Sequence, residues 1–285
     1  MAQGPGFWSR MMAAGRVALS AYDRFEDDDG FAMAGFIAYS VFLSLFPFAI
    51  FMSALSGILI GPEESLEIID ALFQLAPEHI AQTLSPVLLE VMGEARGGLL
   101  TFSALAALWI ASNAVEAVRI AFERAYNVEA SRSFLHRRSI AIAFVFIAAV
   151  AFALLGFIVI LAPLAINLAR EFLPFHIPFG LGVLRYIFGL IVFALFLLML
   201  NRWLPSRAPR AKRVWPGIVV STVLWIIGAT GFSIYLAFAP SYTITYGAFA
   251  GVIVTLLFFY ITGAIVIYGA EVNAALIAYK NREMT

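Results

Sequence analysis

Two acidic side chains stand inside long apolar runs of this sequence, and each has polar neighbours. Glu116 and Arg119 are three residues apart, on one face of a helix, with Asn113 one turn earlier. Glu271 and Asn273 sit near the end of the last apolar run. At 1.5 Å per residue, Glu116 lies roughly 26 Å and Glu271 roughly 36 Å along their runs, which places both near the same face of a bilayer. Ionisable groups at such depths cost free energy and face a partner or water. Two kinds of chemistry fit. One is a clasp of ion pairs and hydrogen bonds tying two helices to nearby basic loops, within reach of Arg119. The other is a vestibule for an anionic or proton-coupled substrate. A further candidate is Pro47 in Tyr39-Ser40-Val41-Phe42-Leu43-Ser44-Leu45-Phe46-Pro47. Proline cannot donate to the carbonyl four residues back, so the spacing predicts a kink or local break beside Leu43. Tyr39, Ser40 and Ser44 would then line a pathway, unless the proline is ordinary packing. At the opposite face, Arg170 and Arg185 flank the Pro174–Pro178 turn, placed to meet lipid headgroups or to snorkel toward them.

Other chemistries lack their residues. There is no cysteine, hence no thiolate nucleophile, thiolate metal site or disulfide. The three histidines, His79, His136 and His176, are scattered over separate loops with no pair at ligand spacing. No catalytic residue, metal site or cofactor is expected.

The elements that must position these groups are six long apolar runs: Phe31–Ile60, Leu99–Phe122, Ser139–Ala169, Leu181–Leu200, Val214–Ala239 and Gly247–Ala278. Each reaches the ~20 residues that cross a hydrocarbon core of roughly 30 Å. Helices are the natural solution, because lipid leaves no water for open backbone groups. With 62% hydrophobic and 13% charged residues, the chain falls well below the charge of soluble domains, about 25%. Lys and Arg number 3, 5, 5 and 2 in the N-terminal segment, second and fourth junctions and tail, against 1, 2 and none in the other junctions. Positive charge stays cytoplasmic, so both termini are expected inside. The expectation is one all-α polytopic domain. It comprises a cytoplasmic segment 1–30, a six-helix transmembrane domain 31–279 and a tail 280–285. No cleavable signal peptide is expected, since residues 1–30 lack an apolar core.

Within 1–30, residues 5–25 suit a helix with Phe7, Met11, Ala18 and Phe25 near one face, lying along the inner leaflet. Glu26-Asp27-Asp28-Asp29-Gly30 should stop it. The outer segment 62–97 carries seven acids and two helical stripes, Leu66/Ile69/Phe73 and Ile80/Leu84/Val87/Leu88/Val91. It reads as two amphipathic helices, a lid or simply a cap. Glycines crowd the last two runs, among them Gly228, Gly231, Gly263 and Gly269, and permit close helix approach.

Several segments together resemble the YihY/BrkB family of bacterial inner-membrane proteins, once mislabelled ribonuclease BN. They are Ala38-Tyr39…Ser44-Leu45-Phe46-Pro47, then Trp109…Ser112 with Ala125-Tyr126-Asn127-Val128-Glu129…Arg132. Trp215-Pro216-Gly217, Tyr246-Gly247-Ala248…Gly251 and Gly269-Ala270-Glu271…Asn273 complete the set. The resemblance implies a six-helix bundle with cytoplasmic termini in the bacterial inner membrane, and links the chain to transport, including lipid movement. RNA hydrolysis does not follow. It needs clustered ligands that hold metal and activate water, which the scattered histidines do not offer, and no nucleic-acid partner is expected. The leading expectation is a transporter or flippase-like protein for an amphipathic or lipidic anion, with membrane lipids as partners. The alternative is a non-transporting scaffold that binds partner proteins. A cavity among the first, second and sixth spans would favour transport, and a solid core the scaffold.

Overall fold

The computed structural model describes residues 7–61, 97–129, 131–172, 180–207, 209, 211–238 and 249–282. The described residues form seven helices and no strand: α1 (Phe7–Asp27), α2 (Gly30–Ile60), α3 (Gly97–Ala125), α4 (Phe134–Phe172), α5 (Gly180–Trp203), α6 (Ala211–Phe238) and α7 (Phe249–Arg282). Helices α2 to α7 coincide with the six apolar runs. Five carry stretches long and apolar enough to cross a membrane: Gly30–Phe48, Leu105–Ala125, Phe134–Ala151, Arg213–Leu236 and Ala250–Tyr279. Helix α5 contributes a shorter one, Ile187–Trp203. Large apolar side chains such as Leu105, Val150, Ile191 and Ile227 point outward. That is the surface a bundle presents to hydrocarbon. The outer segment 62–96, the 174–178 turn, His79, His176 and 240–246 lie outside the described residues, as do the side chains of Arg170 and Arg185.

Helix α7 is the centre of the bundle and packs on α1, α2, α3 and α6. Its approach to α6 requires glycine. A Cβ on Gly217 would lie 1.9 Å from the Gly269 carbonyl oxygen, and one on Gly269 would lie 1.8 Å from Ser221 Oγ. Against α2, a Cβ on Gly263 would stand 3.3 Å from the Ala34 carbonyl oxygen. By contrast, Gly231 has open space around it. Around the halves of α3 to α7 nearest the α3–α4 and α5–α6 junctions, Phe122, Phe144, Leu197, Leu204, Val214, Ile218 and Ala270 form the main core.

In α1, Ala18 is exposed while Phe25 is buried, so the two do not share one environment as their common face suggested. The buried stripe is Val17, Ala21 and Phe25, which meets Tyr268, Val272 and Ala275 of α7 and adjoining α2 residues. Spacing of i, i+4, i+8 brings these three together on one face. The acidic run ends α1 as expected. Asp29 takes a left-handed conformation (φ 56°), and Gly30 is pressed so close to Phe25 that a Cβ would meet its carbonyl oxygen at 2.5 Å.

Pro47 produces no local break: helix α2 runs continuously from Gly30 to Ile60 with Pro47 inside it. Loss of one backbone donor does not open the helix, because membrane helices absorb it through neighbouring contacts. Close by, Ser44 Oγ donates to the Ile110 carbonyl of α3 at 3.3 Å.

Candidate polar site at the basic end of the bundle

The polar side chains of the apolar runs assemble into two networks at the end of the bundle that carries the α3–α4 and α5–α6 junctions. Arg119 organises the first. Its guanidinium donates to both Glu116 oxygens, at 2.7 and 2.9 Å, and to Glu123 one turn on. The other Glu123 oxygen accepts from Ser206 Oγ at 2.6 Å and from the Ser206 amide at 3.3 Å, which ties the α5–α6 junction to α3. Arg137 approaches Glu116 at 3.9 Å. Arg138 donates to Asn113 Oδ1 at 2.9 Å and to the Trp109 carbonyl, and its guanidinium stacks 3.7 Å over the Trp109 ring. Arg119 and Glu123 are both buried, so the pair is held by complementary geometry on all sides, as buried charges must be.

The second network joins five elements. Arg24 of α1 donates through Nε to Glu271 Oε2 at 3.2 Å, and through its second amino group to the Ala125 carbonyl at 3.0 Å. Asn273 accepts the Gly217 amide of α6 at 2.7 Å, and its Nδ2 donates to the Tyr126 hydroxyl at 3.3 Å. Tyr126 in turn donates to Asn201 of α5, whose Nδ2 donates to the Leu197 carbonyl at 2.8 Å. Glu271 and Asn273 are fully buried.

Local sequence explains why these side chains arrive where they do. Helix α3 ends in a Schellman closure: Val128 N donates to Glu123 O and Asn127 N to Arg124 O, both at 2.8 Å. Asn127 supplies the left-handed residue (φ 50°) that such an ending requires. The closure leaves Tyr126 directed at α5 and α7. Arg132 then spans the end of α5, donating to the Trp203, Leu204 and Pro205 carbonyls at 2.9, 3.2 and 3.0 Å.

Glu271 thus pairs with Arg24, and not with Arg119 as the depths suggested. Asn113, Glu116 and Arg119 gather on the α4 side of α3, while Glu271 and Asn273 meet α1, α6 and the end of α3. The reason is the docking of α1, whose Val17–Ala21–Phe25 stripe carries Arg24 to the C-terminal end of α7. The α2 candidates join neither network: Tyr39 faces outward, Ser40 and Pro47 are half-buried, and Ser44 is spent on α3. Among α2, α3 and α7, the buried residues Ala34, Ile37, Ala117, Ala121 and Ile267 pack into one apolar cluster. Sequence reasoning passed over Arg24, Glu123, Asn201 and Ser206. Glu123 was findable, standing four residues from Arg119 on its own helix, and Asn201 as a polar residue ending an apolar run.

A concavity does exist elsewhere. Between α5 and α6 runs a groove of about 360 Å³, lined by Ile187, Ile191, Leu195, Trp215, Val219 and Val223 among others.

The sequence profile of the virulence factor BrkB family matches residues 21–284. The ribonuclease-like protein YfkH of Bacillus subtilis (strain 168) is 34% identical over 262 residues, spanning 90% of this chain and 93% of its own length. A UPF0761 membrane protein of Alteromonas mediterranea is 26% identical over 271 residues, covering 91% of this chain and 87% of that one. Another, from Pseudoalteromonas translucida, is 24% identical over 283 residues, with 96% and 87% covered. No solved structure matches. Tyr126, Asn127 and Arg132, Gly217, and Gly269, Glu271 and Asn273 all belong to segments that carried the resemblance in the sequence, and together they build the basic end of this bundle; the chain belongs to the virulence factor BrkB family.

Proposed function

We propose that this membrane protein is a transporter or flippase-like protein that handles an amphipathic, lipidic anion. The observation that supports it is the groove between α5 and α6. Its lining is aliphatic apart from the Trp215 indole and Thr222, and the Thr222 hydroxyl is spent on the Ile218 carbonyl at 2.8 Å. Such a wall suits a hydrocarbon tail better than a polar solute, and the volume falls in the range of small-molecule sites. The α5 stripe that lines it continues two turns past Leu195 to Arg202, which is exposed at the basic end, with exposed Arg207 close in sequence. Guanidinium groups there suit a phosphate-bearing headgroup. By the positive-inside rule this end faces the cytoplasm of a bacterial inner membrane, with six spans and both termini inside. In this reading the protein has no hydrolytic role and no nucleic-acid partner.

The test is lipid movement in proteoliposomes, comparing a fluorescent anionic phospholipid with a zwitterionic one, with and without a proton gradient. Val219→Trp, which fills the groove, should slow movement of the anionic lipid while the protein inserts normally. Arg202→Gln should weaken the preference for the anion. Movement of both lipids no faster than in protein-free vesicles would reject transport. A second reading, a scaffold for partner proteins, draws on the apolar cluster packed among α2, α3 and α7, and would gain from that result.

A further inference from the structure

Among the described residues, three guanidinium groups meet two carboxylates where α3 packs on the start of α4. Arg119 is bonded to Glu116 and Glu123, and Arg137 stands 3.9 Å from Glu116. Arg138 has no ion pair among the described residues, although it is only 8% exposed. Its terminal amino groups reach neutral oxygens, Asn113 Oδ1 at 2.9 Å and the Trp109 carbonyl. The Nε atoms of Arg137 and Arg138 are both buried without a hydrogen-bond partner. A buried charge is costly unless a counter-charge and hydrogen bonds meet it. This corner is one negative charge short.

The surroundings say what kind of anion would suit it. The Trp109 ring lies 3.7 Å from the Arg138 guanidinium and is itself exposed. Phe134, 6.3 Å from that ring, is exposed too, as is Leu135 beside it in the chain. Both helices belong to stretches long and apolar enough to span a membrane, Leu105–Ala125 and Phe134–Ala151. Aromatic side chains of this sort collect at the level of lipid headgroups. A dissolved anion would gain nothing from Phe134 or Leu135. A phospholipid would set its phosphate against the arginines and an acyl chain against these apolar side chains. The first turn of α4 adds amide N–H groups that have no intrahelical partner, which also favour a phosphate.

We propose that this α3–α4 corner binds the phosphate headgroup of an anionic phospholipid drawn from the surrounding bilayer. Arg137 is partly exposed and meets the phosphate first. A guanidinium can engage two phosphate oxygens at once, which an ammonium cannot. Arg138, held by Asn113 and Trp109, supplies the unmatched positive charge. Occupancy removes the charge imbalance, so the packing of α4 on α3 strengthens with the anionic lipid content of the membrane. The corner shares no residue with the groove between α5 and α6, and the lipid held here is a resident ligand whether or not the groove carries cargo.

The test counts lipids on the detergent-solubilised full chain by native mass spectrometry, using phosphatidylglycerol and phosphatidylcholine of equal chain length. Every sample carries Val219→Trp, which fills the groove and removes it as a competing site. Phosphatidylglycerol should bind about tenfold tighter than phosphatidylcholine. Arg138→Met keeps an unbranched side chain and removes the unmatched buried charge, so the protein should stay folded while that preference falls toward parity. Arg137→Gln, at a partly exposed position, should reduce the preference severalfold and decides the matter if the buried substitution does not fold. Equal binding of the two lipids before either arginine is changed would overturn the site, and so would a preference that survives both substitutions. Displacement of the lipid by millimolar inorganic phosphate would assign the corner to a dissolved anion and overturn the lipid as its occupant.

Discussion

Replacing Gly217 by alanine tests the α6–α7 contact on which the second polar network depends. The added methyl would lie 1.9 Å from the Gly269 carbonyl oxygen and 2.5 Å from the Asn273 side-chain amide. An ordinary carbon–oxygen contact needs more than 3 Å, so the helices must part by more than 1 Å or the backbone must bend. No side-chain rotation relieves the clash, because the first obstacle is backbone. Overpacking of this sort costs about 1–3 kcal/mol, and more against rigid groups. Parting the helices also stretches the Gly217 N–H bond to Asn273, 2.7 Å long and buried. An unsatisfied buried donor adds about 1–3 kcal/mol. Together these come to about 2–6 kcal/mol. The control is Gly231→Ala on the same helix, where a Cβ meets nothing within 4 Å. There alanine should be neutral or should stabilise by up to about 1 kcal/mol through helix propensity. The assay is thermal unfolding of both variants in one detergent, followed by loss of monodisperse protein. At roughly 2–4 °C per kcal/mol, Gly217→Ala should melt well below the parent, and Gly231→Ala at or above it. Equal midpoints for the two variants would refute the close approach of α6 and α7.

Arg132→Ala should free the Trp203, Leu204 and Pro205 carbonyls and raise proteolytic cleavage around 202–209, and Arg132→Lys should rescue it poorly because a single ammonium cannot span three acceptors; cleavage equal to the parent in both would dismiss the cap. Pro47→Ala adds one backbone bond to a helix that is already continuous, so it should leave expression unchanged and shift the melting midpoint upward or not at all; a large fall would mean that the proline is needed for packing. Reporters fused after Arg132, Arg210 and Thr285 should report the cytoplasm, and reporters within 62–97 and 170–180 the outer side, with an outer signal from 202–213 overturning the orientation.

Apolar periodicity and charge were enough to lay out this chain one element at a time. Hydrocarbon forces every spanning segment to satisfy its own backbone, so runs such as Val214–Ala239 had to be helices, and their ends are legible to within a few residues. The acidic break before Gly30 and the left-handed Asn127 are equally local, since each depends on its immediate neighbours alone. Partners across the bundle are another matter. Depth along a helix located Glu116 and Glu271 near one end but said nothing of azimuth, and a rotation of one residue moves a side chain by 100°. Which arginine answers Glu271 was decided by α1 folding back on α7, through the alanine-scale contacts of Ala21 with Val272 and Ala275. Likewise the glycines of the last two helices read alike in sequence, while packing set Gly269 against Ser221 and left Gly231 facing open space. The groove between α5 and α6 has no local code at all, because it is the space two helices leave when their small and large side chains fail to mesh, and only their assembled surfaces define it.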